Sequence, residues 1–299
     1  MAQVALSLIA PSGVELPLAS SPWDAGAFRV MDGTAGLGLP TARAAFTESA
    51  GDGRRLGNVR TSGRQITLSL GIFADHGLDP EGARTQLTER IDELADAIAY
   101  VDGKPLPRLV VRYTDGSARE LEFVHVGGGT EGLTSLGETV ARVVLTLDCP
   151  DAYWTALDYS EFTVMQTNDG TPFLESLPNV YLQPSDAFGE VTVTNPGKVP
   201  SWVDFELHGP LTRVEATKDG EGWVYAVPIL AGERVYIRKT PAGIEVVDGA
   251  GASRYSALED VPRFFQLPPG TSTVHIAVTG TTASSRVIGR YRPRFRQVF

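Results

Sequence analysis

Short runs of alternating apolar and polar residues, separated by glycine and proline, are the feature that most restricts the fold of this chain. Alternation at a period of two is typical of strands that bury one face. The first half shows it in five segments: Gln3–Ile9, Gln65–Phe73, Leu109–Tyr113, Glu120–Val126 and Thr139–Asp148. The 32 glycines and 20 prolines among 299 residues are expected where tight turns join many strands. The sequence therefore predicts a mainly β protein.

One segment of the first half departs from this β pattern. Four apolar residues recur there at spacings of four, three and four, and so share one helical face: Leu87, Ile91, Leu94 and Ile98. Asp79 suits the N-cap and Pro80 the first helical position, and Asp102-Gly103 is predicted as the exit. Farther on, Asp115-Gly116 predicts a hairpin, because this pair tolerates the positive φ that a two-residue turn requires. We expect a β-sandwich flanked by one helix of about 18 residues.

The second half follows a pause in this pattern. Residues 165–188 hold three prolines and no periodicity, and they are predicted to form an irregular connection. Nine candidate strands come after it: Glu190–Thr194, Ser201–Leu207, Thr212–Thr217, Gly222–Val227, Arg234–Arg238, Gly243–Val247, Arg263–Leu267, Thr273–Val278 and Arg286–Arg296. This spacing is typical of an antiparallel jelly-roll or lectin-like sandwich. The sequence thus predicts two domains in series, residues 1–157 and residues 158–299.

Charge and cysteine content argue against several classes of function. A net charge of −10 disfavours a nucleic-acid-binding surface. Cys149 is the single cysteine, so neither an intrachain disulfide nor a multi-cysteine metal cluster is expected. No apolar run approaches the roughly 18 residues that cross a bilayer, and the first residues are typical of a strand, not of a signal peptide. We expect a soluble protein, made in a reducing cytoplasm and not inserted in a membrane.

The sequence contains no recognisable catalytic or metal-binding motif. Its four histidines are dispersed, whereas a zinc site needs convergent ligands: His76, His125, His208 and His275. The Gly-x-Ser-x-Gly pentapeptide of serine hydrolases does not occur. A carboxylate pair for glycoside hydrolysis has no specificity among 36 acidic residues. We predict that the protein is not an enzyme and has no cofactor.

Two segments are predicted to contact other subunits or partner proteins. Gly127, Gly128 and Gly129 end a strand and, with Thr130, begin a glycine-rich loop. The run is not expected to bind phosphate, because no Lys-Ser/Thr pair follows it. A flexible hairpin or bulge connection is the alternative to a subunit contact. Near the C-terminus, four arginines at period two would share one face of a strand and meet solvent or an acidic partner: Arg290, Arg292, Arg294 and Arg296.

Two tryptophans of the second half are candidates for sugar binding. Trp202 and Trp223 lie in predicted strands, where an indole could stack on a sugar ring. Aromatic residues of β-sandwiches mostly fill cores, and this is the alternative for both.

The order of several short motifs resembles that of siphophage distal tail proteins. In the second half the matching segments are TNPG at 194–197 with Pro200, WVDFELHG before Gly209-Pro210, AGE before VYIR, FFQLPPG at 264–270, and GRYRPRF at 289–295. In the first half they are RTSGRQITLSLGIFA, the helix of residues 79–100, the hairpin PRLVVRYTDG, and ARVVLTLDCPDAYW. The likeness covers nearly the whole chain in the expected order.

This resemblance implies a belt domain over residues 1–157 and a galectin-like domain over residues 158–299. It implies a homo-hexameric ring at the distal end of the virion tail, where the protein joins the tail tube protein to the tail hub or tail-associated protein. The tape measure protein and host-binding or accessory tip proteins are further implied partners, and no nucleic-acid specificity is expected.

Carbohydrate recognition of the host surface through the second domain is the alternative function. Galectins that bind sugar carry a polar His/Asn/Arg cluster, whereas His208 is followed here by Gly209-Pro210. The sequence therefore favours a docking module over a lectin. A tail-associated hydrolase is a third hypothesis, and it requires a carboxylate pair.

Overall fold

The computed structural model describes residues 4–19, 25–49, 51–129, 139–165, 186–240, 242–259 and 261–298. By spatial contact the chain divides into two units, Met1–Asp158 with Arg294–Phe299 and Tyr159–Pro293. The paired strands are antiparallel, and the described residues include one α-helix, which lies in unit 1. The predicted mainly β fold class, with one helix in the first half, is confirmed.

Unit 1 is built from two sheets that enclose one core. Its elements before the chain enters unit 2 are β1 (Ala5–Ile9), β2 (Glu15–Leu18), β3 (Phe28–Val30), β4 (Ala42–Glu48), β5 (Arg54–Thr61), β6 (Arg64–Phe73), α1 (Pro80–Ile98), β7 (Arg108–Arg112), β8 (Ala118–Glu122), β9 (Val124–Gly128), β10 (Val140–Cys149) and β11 (Trp154–Ala156). One sheet contains β2-β1-β7-β8-β11 and the other β3-β6-β10-β9. Alternate residues of both sheets, such as Leu8, Leu68 and Leu145, are fully buried between them.

The helix α1 has the apolar face that the spacing predicts. The side chain of Asp79 accepts a hydrogen bond from the Gly82 amide at 2.8 Å, as an N-cap does. Leu87, Leu94 and Ile98 are buried in the core of unit 1, and Ile91 packs against it partly exposed. The helix ends at Ile98, before the predicted exit.

The predicted hairpin at Asp115-Gly116 is present, but its turn has three residues and not the two that the pair predicts. Gly116 has a φ of +84°, and Asp115 accepts a hydrogen bond from the Ser117 amide at 2.9 Å. The Tyr113 amide donates to the Ser117 carbonyl at 2.9 Å, so three residues form the turn between β7 and β8. Glycine at the last of these three positions permits the left-handed backbone.

Unit 2 is a second antiparallel sandwich. Its strands are β12 (Ser160–Met165), β13 (Asp186–Asn195), β14 (Ser201–His208), β15 (Arg213–Lys218), β16 (Glu221–Tyr225), β17 (Arg234–Thr240), β18 (Gly243–Asp248), β19 (Gln266–Leu267), β20 (Gly270–Thr279) and β21 (Arg286–Tyr291). One sheet runs β12-β21-β14-β17-β18 with β19 beside β14, and the other β13-β20-β15-β16. Phe205 packs edge-to-face on Phe162, Trp223 and Phe265 in the core.

The C-terminal residues leave unit 2 and return to unit 1. The strand predicted over Arg286–Arg296 is wrong as one element: β21 ends at Tyr291, and a new strand, β22 (Arg294–Phe295), pairs with β11. Pro293 lies between them and has no amide hydrogen, so it cannot continue the ladder of β21. The sequence prediction assigned all residues to 299 to the second domain, whereas residues 294–298 pack with the first.

The returning segment is held by polar and apolar contacts. Val298 is buried in the core of unit 1, and the Arg119 guanidinium lies 3.8 Å from the centre of the Phe295 ring. Arg64, itself buried, donates to the carbonyl of Arg296 at 2.7 Å and to that of Ala152 at 2.9 Å. It also reaches the carbonyls of Gly36 and Gly38 at 2.7 and 2.6 Å. One guanidinium therefore joins three separate stretches of chain.

Candidate functional site

The glycine run at the end of β9 has a structural role. The pairing of β9 with β10 shifts register at Thr146/Leu147, which is a β-bulge. Gly128 has a φ of +82°, and a Cβ there would overlap the carbonyl oxygen of Val144. Glycine is therefore required for this close approach. Contact of Gly127, Gly128 and Gly129 with another subunit stays a prediction, and Thr130 lies outside the described residues.

The four C-terminal arginines do not share one face. Arg290 contacts Glu161 at 3.2 Å and Glu206 at 3.1 Å within unit 2. The other three lie beyond the end of β21. Arg292 lies over the Tyr159 ring, Arg294 binds both carboxylate oxygens of Asp151 at 2.8 Å, and Arg296 is exposed in unit 1. The break at Pro293 thus separates the set into two pairs.

The two predicted sugar-stacking residues have different surroundings. Trp223 is 2% exposed, and its ring centre lies 4.9 Å from that of Phe205 in the core of unit 2. Its ring is therefore not accessible to a sugar. Trp202 is half-buried on β14, two residues before Asp204 and hence on the same outward face.

The ribbon of β4 and β5, residues 42–61, is an exposed surface that the sequence analysis missed. Every residue of both strands is exposed. Its apolar side chains include Phe46, Leu56 and Val59, which are 56%, 57% and 51% exposed. At its base the Tyr153 hydroxyl lies 3.0 Å from the Thr61 hydroxyl. The two strands also carry four arginines and one acidic residue: Arg43, Arg54, Arg55, Arg60 and Glu48.

The outer side of α1 has the opposite charge. Four exposed carboxylates form no ion pair with any described residue: Glu89, Asp92, Glu93 and Asp96. Arg90 of the same helix is directed to Asp75, with 2.8 Å between its Nη2 and the carboxylate. The helix therefore presents an acidic face.

A group of charged and aromatic residues lines a depression on the outward side of β14, β17 and β21 in unit 2. We call it the charged face: Tyr159, Asp204, Glu206, Tyr236, Arg238 and Arg290. Strand register brings them together, since Asp204 is opposite Arg290 and Glu206 is opposite Tyr236. The depression has a volume of about 380 Å³, with Phe205 also contributing to its lining.

Glu206 is the fully paired group of the charged face. Its side chain is 10% exposed, and it lies 3.1 Å from Arg290, 3.4 Å from Arg234 and 2.8 Å from Nε2 of His208. Burial lowers the pKa of His208, and the charges of Arg286 and Arg234 act in the same direction against the opposing effect of Glu206. The neutral form of the imidazole is therefore favoured, and Arg234 and Arg290 balance the charge of the Glu206 carboxylate.

Asp204 and Arg238 are less completely paired. The carboxylate of Asp204 accepts a hydrogen bond from the Lys239 amide at 2.9 Å, and it forms no ion pair with a described residue. Burial raises the pKa of Asp204. The guanidinium of Arg238 lies 4.3 Å from the centre of the Tyr236 ring and likewise has no carboxylate partner in the described ranges. Both groups line the depression with hydrogen-bonding capacity to spare.

A second cavity of unit 2, of about 580 Å³, is lined by Asp248, whose carboxylate is already paired within its own loop. Asp248 there accepts amide hydrogen bonds from Ala252 and Ala250 at 2.9 and 3.0 Å, and pairs with Arg254 at 3.0 Å. The amides of Ala252 and Ala250 together with Arg254 lower the pKa of Asp248. This carboxylate therefore stabilises the turn after β18.

Within the described ranges, no cluster of three or more His, Cys, Asp or Glu side chains is arranged to hold a metal ion. In that same part of the chain, no helix is long and apolar enough to cross a membrane.

Comparison with solved structures assigns the fold. The crystal structure of SPP1 Dit (gp 19.1), described as a paradigm of the hub adsorption apparatus in phages that infect Gram-positive bacteria, superposes with a TM-score of 0.62. The two sequences are 15% identical, and the match covers 97% of this chain and 99% of that one. This chain has the fold of SPP1 Dit. The predicted likeness to distal tail proteins is thereby confirmed for the fold.

A second solved structure gives the same answer. A chain of the phage P2 baseplate, in its activated conformation with Ca, matches with a TM-score of 0.51 and 11% identity over 99% of this chain and 100% of that one. No protein-family model matches the sequence, and no curated protein matches it either. The similarity to phage hub and baseplate proteins therefore concerns the three-dimensional fold of both units.

Proposed function

We propose that this protein is a non-enzymatic structural component of a phage tail, which forms a homo-hexameric ring at the distal end of the tail. The ring joins the tail tube protein to the hub or tail-associated protein of the tail tip. The fold shared with SPP1 Dit and with a phage P2 baseplate chain supports this function. The tape measure protein and host-binding or accessory tip proteins are further proposed partners.

The exposed β4–β5 ribbon is the observation that carries self-association. A two-stranded ribbon is marginally stable when neither face packs on anything, and exposed apolar clusters usually mark interfaces. Phe46, Leu56 and Val59 gain burial only if another surface covers the ribbon. In the proposed ring that surface belongs to the neighbouring subunit.

The acidic face of α1 is the proposed partner of the ribbon. The strands of the ribbon carry four arginines, and the helix presents four carboxylates without ion partners among the described residues. Attraction between them steers two copies into contact. Because ribbon and helix are different surfaces of one subunit, their contact is heterologous, and such contacts close into rings when the rotation permits.

Charge reversal tests this arrangement. We expect the purified protein to give a hexameric mass in native mass spectrometry and rings in negative-stain images. Arg54→Glu with Arg55→Glu should yield monomers, and so should Glu89→Arg with Glu93→Arg. Mixing the two variants, or combining all four changes, should restore association. Arg263→Glu, an exposed arginine of unit 2, is the control for added negative charge.

One result would decide against the ring, and a second would decide against the proposed interface. The first is a protein that stays monomeric at high concentration together with virions that show no ring. The second concerns the interface alone: hexamers that survive both reversals would place the subunit contact elsewhere, for instance at the proposed partner segments Gly127–Gly129 or Arg290–Arg296.

Carbohydrate recognition by unit 2 is the second candidate function. The charged face of unit 2 favours it, since a carboxylate, a guanidinium and two tyrosine rings converge there on one depression. Trp223, buried in the core, is not part of this candidate.

A further inference from the structure

The charged face contains two polar groups, Asp204 and Arg238, whose hydrogen-bonding capacity the fold uses only in part. Asp204 accepts one hydrogen bond from the Lys239 amide, and its half-buried carboxylate lies within electrostatic range of Arg238 but forms no close ion pair with a described residue. Desolvating a charge without pairing it costs stability. Two residues farther along the same strand, Glu206 is paired with an arginine of each neighbouring strand. The contrast indicates that Asp204 is kept for something other than folding.

Arg238, on the neighbouring strand β17, likewise has hydrogen-bond donors that no close carboxylate among the described residues accepts. Its guanidinium lies 4.3 Å from the centre of the Tyr236 ring and within electrostatic range of Asp204, and its five N–H groups form no close ion pair with a described carboxylate. An acceptor-rich group and a donor-rich group thus line one depression, with tyrosine rings beside them. The volume of about 380 Å³ is at the lower end of the range for small-ligand clefts.

We propose that the charged face binds a neutral saccharide, with Asp204 and Arg238 hydrogen-bonded to sugar hydroxyls and Tyr236 or Tyr159 against the apolar face of the ring. Each hydroxyl both donates and accepts, so it satisfies a carboxylate and a guanidinium together. This site deepens the second candidate function and is independent of ring formation.

Charge selects against other small ligands. An anionic ligand would meet the carboxylates of Asp204 and Glu206, and a cationic ligand would meet Arg238 and Arg290. A neutral polyhydroxylated ligand avoids both repulsions. The tyrosines supply the stacking surface that the sequence analysis assigned to Trp202 and Trp223.

A glycan array with the full-length protein tests the proposal. The probes are multivalent glucose, galactose and N-acetylglucosamine and their neutral disaccharides, and any hit is followed by saturation-transfer NMR with the free sugar. We expect binding by the wild type. Asp204→Asn and Arg238→Gln should each lower it at least tenfold, because each removes a charged hydrogen bond to the sugar. Tyr236→Ala should also abolish binding, and Tyr236→Phe should retain it.

Matched substitutions keep the test specific. Asp219→Asn and Arg263→Gln make the same chemical changes in unit 2 at residues that do not line the depression. Both should bind like the wild type. Because Asn can still accept the Lys239 amide, Asp204→Asn should fold normally, and an unchanged unfolding temperature verifies this.

The possible outcomes separate site from function. Binding that survives Asp204→Asn and Arg238→Gln overturns this site and leaves carbohydrate recognition standing. An array that is silent with the wild type overturns both. If the array is silent and Asp204→Asn reduces the tail proteins that co-purify with the virion-assembled chain, the face is a protein-docking surface and the saccharide proposal is wrong.

Discussion

Two segments of unit 1, the β4–β5 ribbon and the C-terminal segment, differ in how much of their surface is buried. The β4–β5 ribbon is a long hairpin whose every residue is exposed, and it includes Phe46 and Leu56. The C-terminal segment has only two residues in a strand, yet Val298 is in the core and Arg64 holds the Arg296 carbonyl. The length of a segment's strands therefore does not show how much that segment stabilises unit 1.

The difference lies in where each segment buries its apolar groups. The C-terminal segment buries them within its own subunit, so it contributes to the stability of an isolated chain. The ribbon leaves them in solvent, so its contribution comes with a partner. Changes in the first segment should act on folding, and changes in the second on assembly.

Removing residues 294–299 should have the largest effect. The loss of buried Val298 from the unit 1 core costs about 1.5–3 kcal/mol, and the loss of partly buried Phe295 adds to it; the stability of a typical domain is about 5–15 kcal/mol. Cys149 is a specific reporter, because burial raises the pKa of its thiol to about 12. We expect fast reaction with a thiol reagent at pH 8 in the truncated protein and slow reaction in the wild type. Equal rates would show that the segment is dispensable.

Arg64→Met should come next, at about 3–5 kcal/mol. The change leaves the carbonyls of Gly36, Ala152 and Arg296 without their donor, and buried acceptors without partners are costly. Chemical denaturation followed by Cys149 labelling measures it. Arg55→Met on the ribbon is the matched control and should leave the labelling curve unchanged; similar losses from the two variants would contradict the comparison.

A pair of serine substitutions isolates the apolar contribution. Val298→Ser should destabilise unit 1 by about 2–3 kcal/mol, because it buries a hydroxyl in place of a packed side chain. Phe46→Ser should change the free energy of unfolding of the monomer by less than about 0.5 kcal/mol and weaken hexamer formation instead. Calorimetry under monomeric conditions and native mass spectrometry separate the two. The comparison fails if Phe46→Ser melts the monomer early.

The smallest effect is expected at Arg294. Its bidentate pair with Asp151 is partly exposed, so Arg294→Ala should cost about 1 kcal/mol or less. High salt should reduce the difference from the wild type, since screening weakens exposed pairs. A loss as large as that of Arg64→Met would mean that the segment is held mainly by charge.

The sequence was sufficient to predict helices and strands whose buried residues recur at a regular spacing. Leu87, Leu94 and Ile98 predicted α1 because a helical spacing has no other simple cause, and Asp79 identified its beginning. Alternation likewise located most strands of unit 2, with ends displaced by a few residues. In unit 1 it missed β2, β3 and β11, and the strand predicted over Glu120–Val126 is two strands, β8 and β9, in different sheets. The ribbon was missed because period analysis detects burial, and residues 42–61 bury nothing within the described chain.

The charged face could not be predicted for a different reason. Asp204, Arg238 and Arg290 are far apart in sequence and meet only through the register of β14, β17 and β21. Alternation shows which residues point outward but not which strands are neighbours. The C-terminal arginines illustrate the reverse error, since a regular spacing across Pro293 suggested one strand where the chain has two.

The return of the chain to unit 1 also determines how unit 2 is attached. β11 and β22 are antiparallel neighbours, with Thr155 opposite Arg294, and all of unit 2 lies between them in the sequence. Unit 2 thus occupies the place of a turn in a hairpin of unit 1. Insertions at such positions are tolerated, because the ends of the inserted domain are already close together. A different domain could be exchanged there while β11 and β22 keep their pairing.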